Sequence, residues 1–132
     1  MDKIKKVFLN DRFAARADIE LLSVEPGRAR SKMTLQPYHL NARGTAQGGA
    51  IFTLADFTFA VAANSHGTVA VAVNVNITFM QAVTTGTLFA EARELSKNFK
   101  LGTYTVDVTN ELGELVAVFQ GLAYRKKDRI VP

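Results

Sequence analysis

Hydrophobic and polar positions follow two different periods along the chain. Residues 46–63 form a run that is apolar on nearly every side and contains a glycine pair near its start, which predicts a buried helix. Over residues 69–79, large apolar side chains alternate with small or polar ones, which predicts a strand with one face in the core. Three further strands are predicted between turn-forming residues, near 86–96, 102–110 and 114–124.

The part of the chain before the buried helix predicts a short helix over residues 3–13 and then a hairpin. The strands of this hairpin, 17–24 and 29–35, flank a Pro-Gly turn, and residues 36–45 form a loop. This order of elements predicts an α+β fold in which a curled antiparallel sheet surrounds the central helix. Because the sheet would leave an exposed edge, we expect pairing with a second copy of the chain.

Composition narrows the class of protein. At 132 residues, with 48% apolar and 21% charged residues, the chain fits one ordered domain. The absence of cysteine excludes disulfides, thiol nucleophiles and cysteine metal sites, and is typical of a reducing compartment. The first residues have no apolar stretch of signal-peptide length, so a cytoplasmic protein is predicted.

Charge and residue spacing argue against several partners. The apolar run contains Gln47, two glycines and Asp56, which favours a core helix over a membrane span. The net charge of +4 is spread over termini and hairpins, so no nucleic-acid partner is predicted, although a small anionic ligand suits it. We predict neither a metal nor a cofactor, because His39 and His66 have no carboxylate at ligand spacing. For both histidines we expect a surface or capping role.

Candidate chemistry is concentrated on the buried helix. Asp56 is its only carboxylate, and is either a satisfied buried group or a group placed there for chemistry. Gly48 and Gly49 lie at the positive end of the helix dipole, where unpaired N–H groups could hold a carbonyl oxygen as it gains charge. The alternative for the glycines is close packing against the sheet.

The spacing of these groups predicts a site shared between subunits. Asp56 follows Gly48 by eight positions, which in a helix is about 12 Å of rise and about 80° of rotation. One helix therefore cannot bring both groups to the same bond. If both act on one carbonyl, they come from two subunits with antiparallel helices.

Other polar residues have two interpretations each. Asn41 could cap the helix or orient a water or a carbonyl, and Gln47 could face solvent or donate from its amide beside the glycines. Several cationic side chains in one predicted turn and at the end of the last strand could bind substrate phosphates or be solvated surface groups: Lys97, Lys100, Arg125, Lys126 and Lys127. Asn98, in the same turn, is a further candidate for substrate binding.

The segment from Asn41 to Asp56, NARGTAQGGAIFTLAD, resembles the hotdog-fold acyl-CoA thioesterases of the PaaI type, whose pattern is Asn, Gly, His-Gly-Gly and Leu-Ala-Asp. The resemblance extends through residues 73–80 and 115–125. It implies a single hotdog domain over residues 1–132, a dimer and commonly a tetramer, and hydrolysis of acyl-CoA to a free acid and CoA between subunits.

The resemblance also implies residue roles. Asp56 matches the catalytic carboxylate, which attacks directly or activates water. Gly48 matches the backbone amide that polarises the thioester carbonyl. Asn41 matches the asparagine that positions substrate or water. Gln47 replaces the usual histidine and can donate a hydrogen bond but cannot titrate, at a cost on the order of 10²-fold in rate. A non-catalytic acyl-CoA-binding protein is the alternative function. A hotdog dehydratase is disfavoured, because neither histidine of this chain is at the helix position that such an enzyme requires.

Overall fold

The structure, a computed structural model, describes residues 1–131, so that only Pro132 of the predicted domain lies outside it. Its helices are α1 (Asp2–Phe8), α2 (Arg12–Arg16) and α3 (Gly48–Asn64), with one 3₁₀ turn at Pro37–His39. Its strands are β1 (Ile19–Glu25), β2 (Arg28–Thr34), β3 (Thr68–Phe79), β4 (Thr87–Lys97), β5 (Leu101–Thr109) and β6 (Leu115–Arg129). The buried helix and all six strands predicted from the sequence are confirmed.

The six strands form one sheet in the order β1-β2-β4-β5-β6-β3, and every neighbouring pair is antiparallel. All six strands contact α3, so the sheet curls around the helix as predicted. Gly121 of β6 permits the closest approach, because a Cβ atom there would lie 2.7 Å from Cε1 of Phe59. The sheet can therefore approach the Phe59 ring of α3 closely because Gly121 has no side chain at this point.

Helix α3 is buried around most of its circumference, which explains its predominantly apolar sequence. Leu54, Ala55 and Val61 are fully buried, and the hydroxyl of Thr58 is satisfied inside the core by Ser31 and by the Leu54 carbonyl. The helix ends at Asn64, whose side-chain amide bonds both the N–H and the carbonyl of Ala70. This clamp turns the chain from the helix directly into β3.

The single helix predicted over residues 3–13 is wrong, because the chain forms two short helices there. The break falls at Asp11, whose backbone is extended and whose side chain accepts a hydrogen bond from the Ala14 N–H. An aspartate in this position starts a new helix by satisfying one of its free amides. The consequence is that α2 is a separate helix, which contacts β1 and the central helix.

Strand β3 lies at one end of the sheet, and its outer edge pairs with no strand among residues 1–131. It is 12 residues long and exposes Val71 and Val73. A long exposed edge with apolar side chains invites pairing with another chain. The edge expected from the sequence is thus present, and the pairing itself stays a prediction.

Candidate active site

Asp56 opens onto a cleft of about 630 Å³ between α3, α2 and the 3₁₀ turn. The cleft walls are mainly aromatic or apolar, and with Gly49 they include Phe13, Arg16, Tyr38, His39, Phe52 and Thr53. Phe13 and Tyr38 are largely exposed, so their rings border the mouth of the cleft. The space accepts a small organic group beside the carboxylate.

Two features of its surroundings disfavour the charged form of the Asp56 carboxyl. Burial raises the pKa of Asp56 above its ordinary value, and the negative charge of Asp11 raises this pKa further. Among residues 1–131, no hydrogen bond satisfies the Asp56 carboxyl group. A carboxylate that is half-buried and without a partner is basic for an aspartate and free to accept a proton.

Gly48 lines a second cleft, of about 390 Å³, together with Ile51, with Phe79 at the end of β3 and with Met80 just after it. Within residues 1–131 the Gly48 N–H has no acceptor, whereas the Gly49 N–H donates to the Gln47 side-chain oxygen at 3.1 Å. The expectation of two free glycine amides is therefore wrong for Gly49. The one available donor lies at the first helical position, where the dipole favours a negative oxygen.

Gln47 is the N-cap of α3, and one of the two polar groups of its exposed side chain is already hydrogen-bonded. Because the side-chain oxygen accepts from Gly49, the Nε2 group is left as a donor. Gln47 is thus exposed to solvent, and donation from its amide to a substrate stays a prediction.

The two clefts lie on different sides of α3 within one protomer. Asp56 and Gly48 line separate clefts, as the helical spacing predicted. The Gly48 cleft is bordered by the segment that follows the exposed edge strand β3. A second copy paired with that edge would therefore lie beside Gly48.

Asn41 does not cap the central helix. Its side-chain oxygen accepts from the Arg43 and Thr45 N–H groups, and its Nδ2 donates to the Thr45 hydroxyl at 2.8 Å. These bonds close a tight turn that delivers the chain to Gln47. A role for Asn41 in positioning substrate or water stays a prediction.

Of the surface or capping role predicted for His39, the surface position is wrong, whereas the side chain does cap the 3₁₀ turn. His39 is 4% exposed, its Nδ1 accepts from the Gln36 N–H at 2.9 Å, and its Nε2 lies 2.7 Å from the Ala17 carbonyl, to which it donates. His39 therefore ties the loop before α3 to the end of α2. Both ring nitrogens are occupied, so this imidazole shapes the wall of the Asp56 cleft and has no free proton-transfer position.

His66 has a carboxylate partner that the sequence did not reveal. Its Nε2 lies 2.7 Å from Glu94, which also accepts from the hydroxyl of buried Tyr104. Burial alone would raise the pKa of Glu94, but the hydrogen bonds from His66 and Tyr104 and the nearby positive charges hold that pKa below its ordinary value. The cluster lies beyond the C-terminal end of α3 and joins the helix to the sheet.

The candidate phosphate-binding residues cluster in the structure, but away from Asp56. The Arg125 Nη1 donates to the Asn98 carbonyl at 2.8 Å, and the Arg125 N–H donates to the Lys100 carbonyl. Lys97 precedes them at the end of β4. Arg125 pairs with Ala70 in β3, so this turn lies near the end of α3 opposite to Gly48.

Four residues near Asp56 were not among the candidates from the sequence: Asp11, Phe13, Arg16 and Thr53. Thr53 precedes Asp56 by three positions on the helix, a spacing that places both on one face and could have identified it. Asp11 carried the signal of an N-cap residue. Phe13 and Arg16 reach the cleft only because α2 packs against α3, which no local pattern shows.

Other kinds of site find no support in the part of the chain that the structure describes. No three histidine or carboxylate side chains of residues 1–131 are placed to hold a metal ion. The helices within this range are too short or too polar to cross a membrane.

The chain is similar in sequence and in structure to known proteins. Residues 43–117 match the model of the thioesterase superfamily. The acyl-coenzyme A thioesterase PaaI of Escherichia coli is 34% identical over 120 residues, which is 90% of this chain and 86% of PaaI. Its structure superposes with a TM-score of 0.91 over 95% of this chain and 91% of the PaaI chain. The PaaI-type resemblance and the hotdog fold expected from the sequence are confirmed.

Two further relatives extend the comparison. Human acyl-coenzyme A thioesterase 13 is 35% identical over 103 residues, which is 75% of this chain and 74% of the human protein. The structure of smu.793 from Streptococcus mutans, bound to acetyl CoA, is 27% identical with a TM-score of 0.80, over 84% of this chain and 90% of that one.

Proposed function

Because the chain belongs to the thioesterase superfamily and is a thioester hydrolase, we propose that it cleaves acyl-CoA to a free acid and CoA at Asp56. The observation that carries this proposal is the carboxyl group of Asp56, half-buried, raised in pKa and without a hydrogen-bond partner, at the wall of an apolar cleft. The acyl-CoA thioesterase relatives and the acetyl-CoA-bound neighbour support the choice of substrate.

In the proposed reaction Asp56 acts as a general base. It takes one proton from a water molecule, and the water oxygen forms a bond to the acyl carbon. The carbonyl oxygen becomes negative and accepts hydrogen bonds from the Gly48 N–H and from the Gln47 amide. The carbon–sulfur bond then breaks, and the departing thiolate takes the proton from Asp56.

We further propose that two copies pair through their β3 edges and share each site. Gly48 lines a cleft at the end of β3, so a partner on this edge can bring its own Asp56 to the Gly48 amide. Isologous pairing of identical edges produces a two-fold axis and therefore two equivalent sites. A tetramer would form from two such dimers.

The same pairing suggests a place for the CoA phosphates. Antiparallel pairing of two β3 edges sets the start of one strand beside the end of the other, so the turn with Lys97, Asn98 and Lys100 approaches the partner's Gly48 cleft. Arg125 lies on the adjacent strand. Together these groups offer the positive charge that phosphates require, with Asn41 and Gly49 closer to the thioester.

A panel of acyl-CoA substrates tests the function directly. Release of free thiol should be measured for short, medium and aryl acyl chains, with the purified protein and a no-enzyme control. Enzyme-dependent thiol release from at least one member is the expected result. Tight acyl-CoA binding by calorimetry without turnover over hours would instead establish a binding protein and overturn the proposal.

Replacing Asp11 by asparagine should shift the acid limb of the pH–rate profile to lower pH. The negative charge of Asp11 raises the pKa of Asp56, so its removal lowers that pKa and leaves more of the base ionised in acid. Asparagine caps helices as well as aspartate does, so the Ala14 N–H keeps its partner and α2 is retained. The measurement is kcat between pH 4 and 8.

Asp2→Asn provides the control, because Asp2 is an exposed aspartate of α1 and does not contribute to the raised pKa of Asp56. An unchanged limb in the Asp11 variant, or an equal shift in both variants, contradicts the proposed electrostatic contact.

A further inference from the structure

We infer that the Thr53 hydroxyl is a positioning group for the attacking water, and that it holds the water proton that Asp56 does not take. This inference rests on the proposed function and on its general-base form. It assigns to Thr53 a role that neither the sequence pattern nor the relatives indicate.

The hydrogen bond of Thr53 decides whether its hydroxyl can donate or accept in the cleft. Its Oγ1 donates to the Gly49 carbonyl at 2.7 Å, so its proton is committed to the helix backbone. A hydroxyl oxygen still has accepting capacity after its proton is used. Thr53 therefore lines the Asp56 cleft as an acceptor and not as a donor.

The placement of Thr53 suits a water molecule shared with Asp56. Residues three positions apart on a helix lie on one face, with Cβ atoms about 5–6 Å apart. A water molecule about 2.8 Å from each of two acceptors joins oxygens about 4.6 Å apart, a distance that two side chains with Cβ atoms about 5–6 Å apart can span. The cleft, at about 630 Å³, has ample room for the water and an acyl group.

Two acceptors are what a general base needs in order to aim water. When one proton points to Asp56 and the other to Thr53, a lone pair of the water oxygen is left to face the acyl carbon. With Asp56 alone, the second proton is free to rotate and the lone pair is not directed. Thr53 thus acts on orientation, and Asp56 on proton removal.

The test compares Thr53→Val with Thr53→Ser. Valine keeps the size and β-branching of threonine but has no acceptor, whereas serine keeps the acceptor. We expect valine to lower kcat by about 10-fold or more with KM unchanged, and serine to restore most of the rate. A loss that serine does not rescue, or a change confined to KM, overturns the inference.

A second readout separates water orientation from damage to the helix start. Hydroxylamine competes with water for the acyl group, and its attack does not need a water held by Thr53. In Thr53→Val the ratio of hydroxamate to free acid should therefore rise several-fold over wild type. If both products fall equally, the valine has disturbed the Gly48 amide and the positioning role is wrong.

Failure of this inference is distinguishable from failure of the function. Wild-type rates and product ratios in Thr53→Val, alongside an inactive Asp56→Asn, would reject Thr53 and leave the thioesterase intact. Absence of wild-type turnover on every acyl-CoA would reject the function on which the inference rests.

Discussion

Replacing Asp56 by asparagine is expected to lower kcat for acyl-CoA hydrolysis by about 10³-fold, because the amide can neither accept the water proton nor attack the acyl carbon. Binding of acyl-CoA should change little, since asparagine has the same shape and the groups proposed to bind CoA do not include Asp56. The measurement is thiol release under saturating substrate, together with calorimetric binding of an unreactive acyl-CoA thioether.

Asp107→Asn is a matched control for this variant. Asp107 is an aspartate on the outer face of the sheet, where it pairs with Arg93, and it lines neither cleft. Its rate should equal that of wild type. An Asp56→Asn enzyme that retains activity within tenfold of Asp107→Asn would show that another group performs the proton transfer.

Asp56→Asn should also stabilise the fold at neutral pH. Since burial raises the pKa of Asp56, the folded state binds this proton more tightly than the unfolded chain does. The stabilising contribution of the protonated form is present at low pH and is lost as pH rises through the raised pKa. Asparagine avoids the ionised state, so a higher melting temperature at pH 7 is expected, with a smaller difference in acid.

Replacing Gly48 by proline should lower kcat by about 10²–10³-fold, the usual loss when one oxyanion donor is removed. Proline has no N–H, and its first-turn position is compatible with a helix. The backbone of the preceding Gln47, at φ −62° and ψ 131°, is also the conformation that a following proline requires. The fold is therefore expected to survive while the free amide is lost.

Gly48→Ala separates loss of the amide from crowding. Alanine keeps the N–H and places its Cβ 3.3 Å from Cζ of Phe79, a half-exposed ring that has room to shift. Its rate should remain well above that of the proline variant. Equal losses in both variants would indicate that steric contact with Phe79, and not the missing donor, causes the effect.

A heterodimer of Gly48→Pro and Asp56→Asn protomers tests the shared site. If each site combines Gly48 of one protomer with Asp56 of the other, one of the two sites is intact and the heterodimer has about half of wild-type activity. Co-expression with two different affinity tags allows its isolation. An inactive heterodimer, with both homodimers inactive, would place the two groups of each site within one protomer.

The strands and the central helix could be predicted from periodicity, whereas the path of the N-terminal segment could not. Residues 46–63 and 69–79 have patterns fixed by burial, which acts on every residue of the element. The break at Asp11 depends on one side-chain hydrogen bond, which competes with the continuous helix that apolar spacing favours. A single cap therefore decided the course of α2 and the shape of the cleft.

Some features of the candidate site could be proposed from the sequence, whereas others depend on tertiary contacts. Asp56 and Gly48 are conspicuous in sequence, as a charge in a buried helix and a glycine at its start. The occupation of the Gly49 amide by Gln47 and the burial of His39 depend on side-chain bonds that cross a turn or reach another element. Such bonds follow from tertiary placement, and no spacing along the chain encodes them.

The double occupation of the His39 ring has a consequence for leaving-group selectivity. With both nitrogens bonded to the backbone, the His39 ring has no free position for a leaving group, and Asp56 is the carboxyl group that lines this cleft among residues 1–131. A thiol, with a pKa near about 8.5, departs as a stable anion without prior protonation. An alcohol is a far weaker acid, so oxygen esters and amides with the same acyl group should resist this catalyst even when they fit.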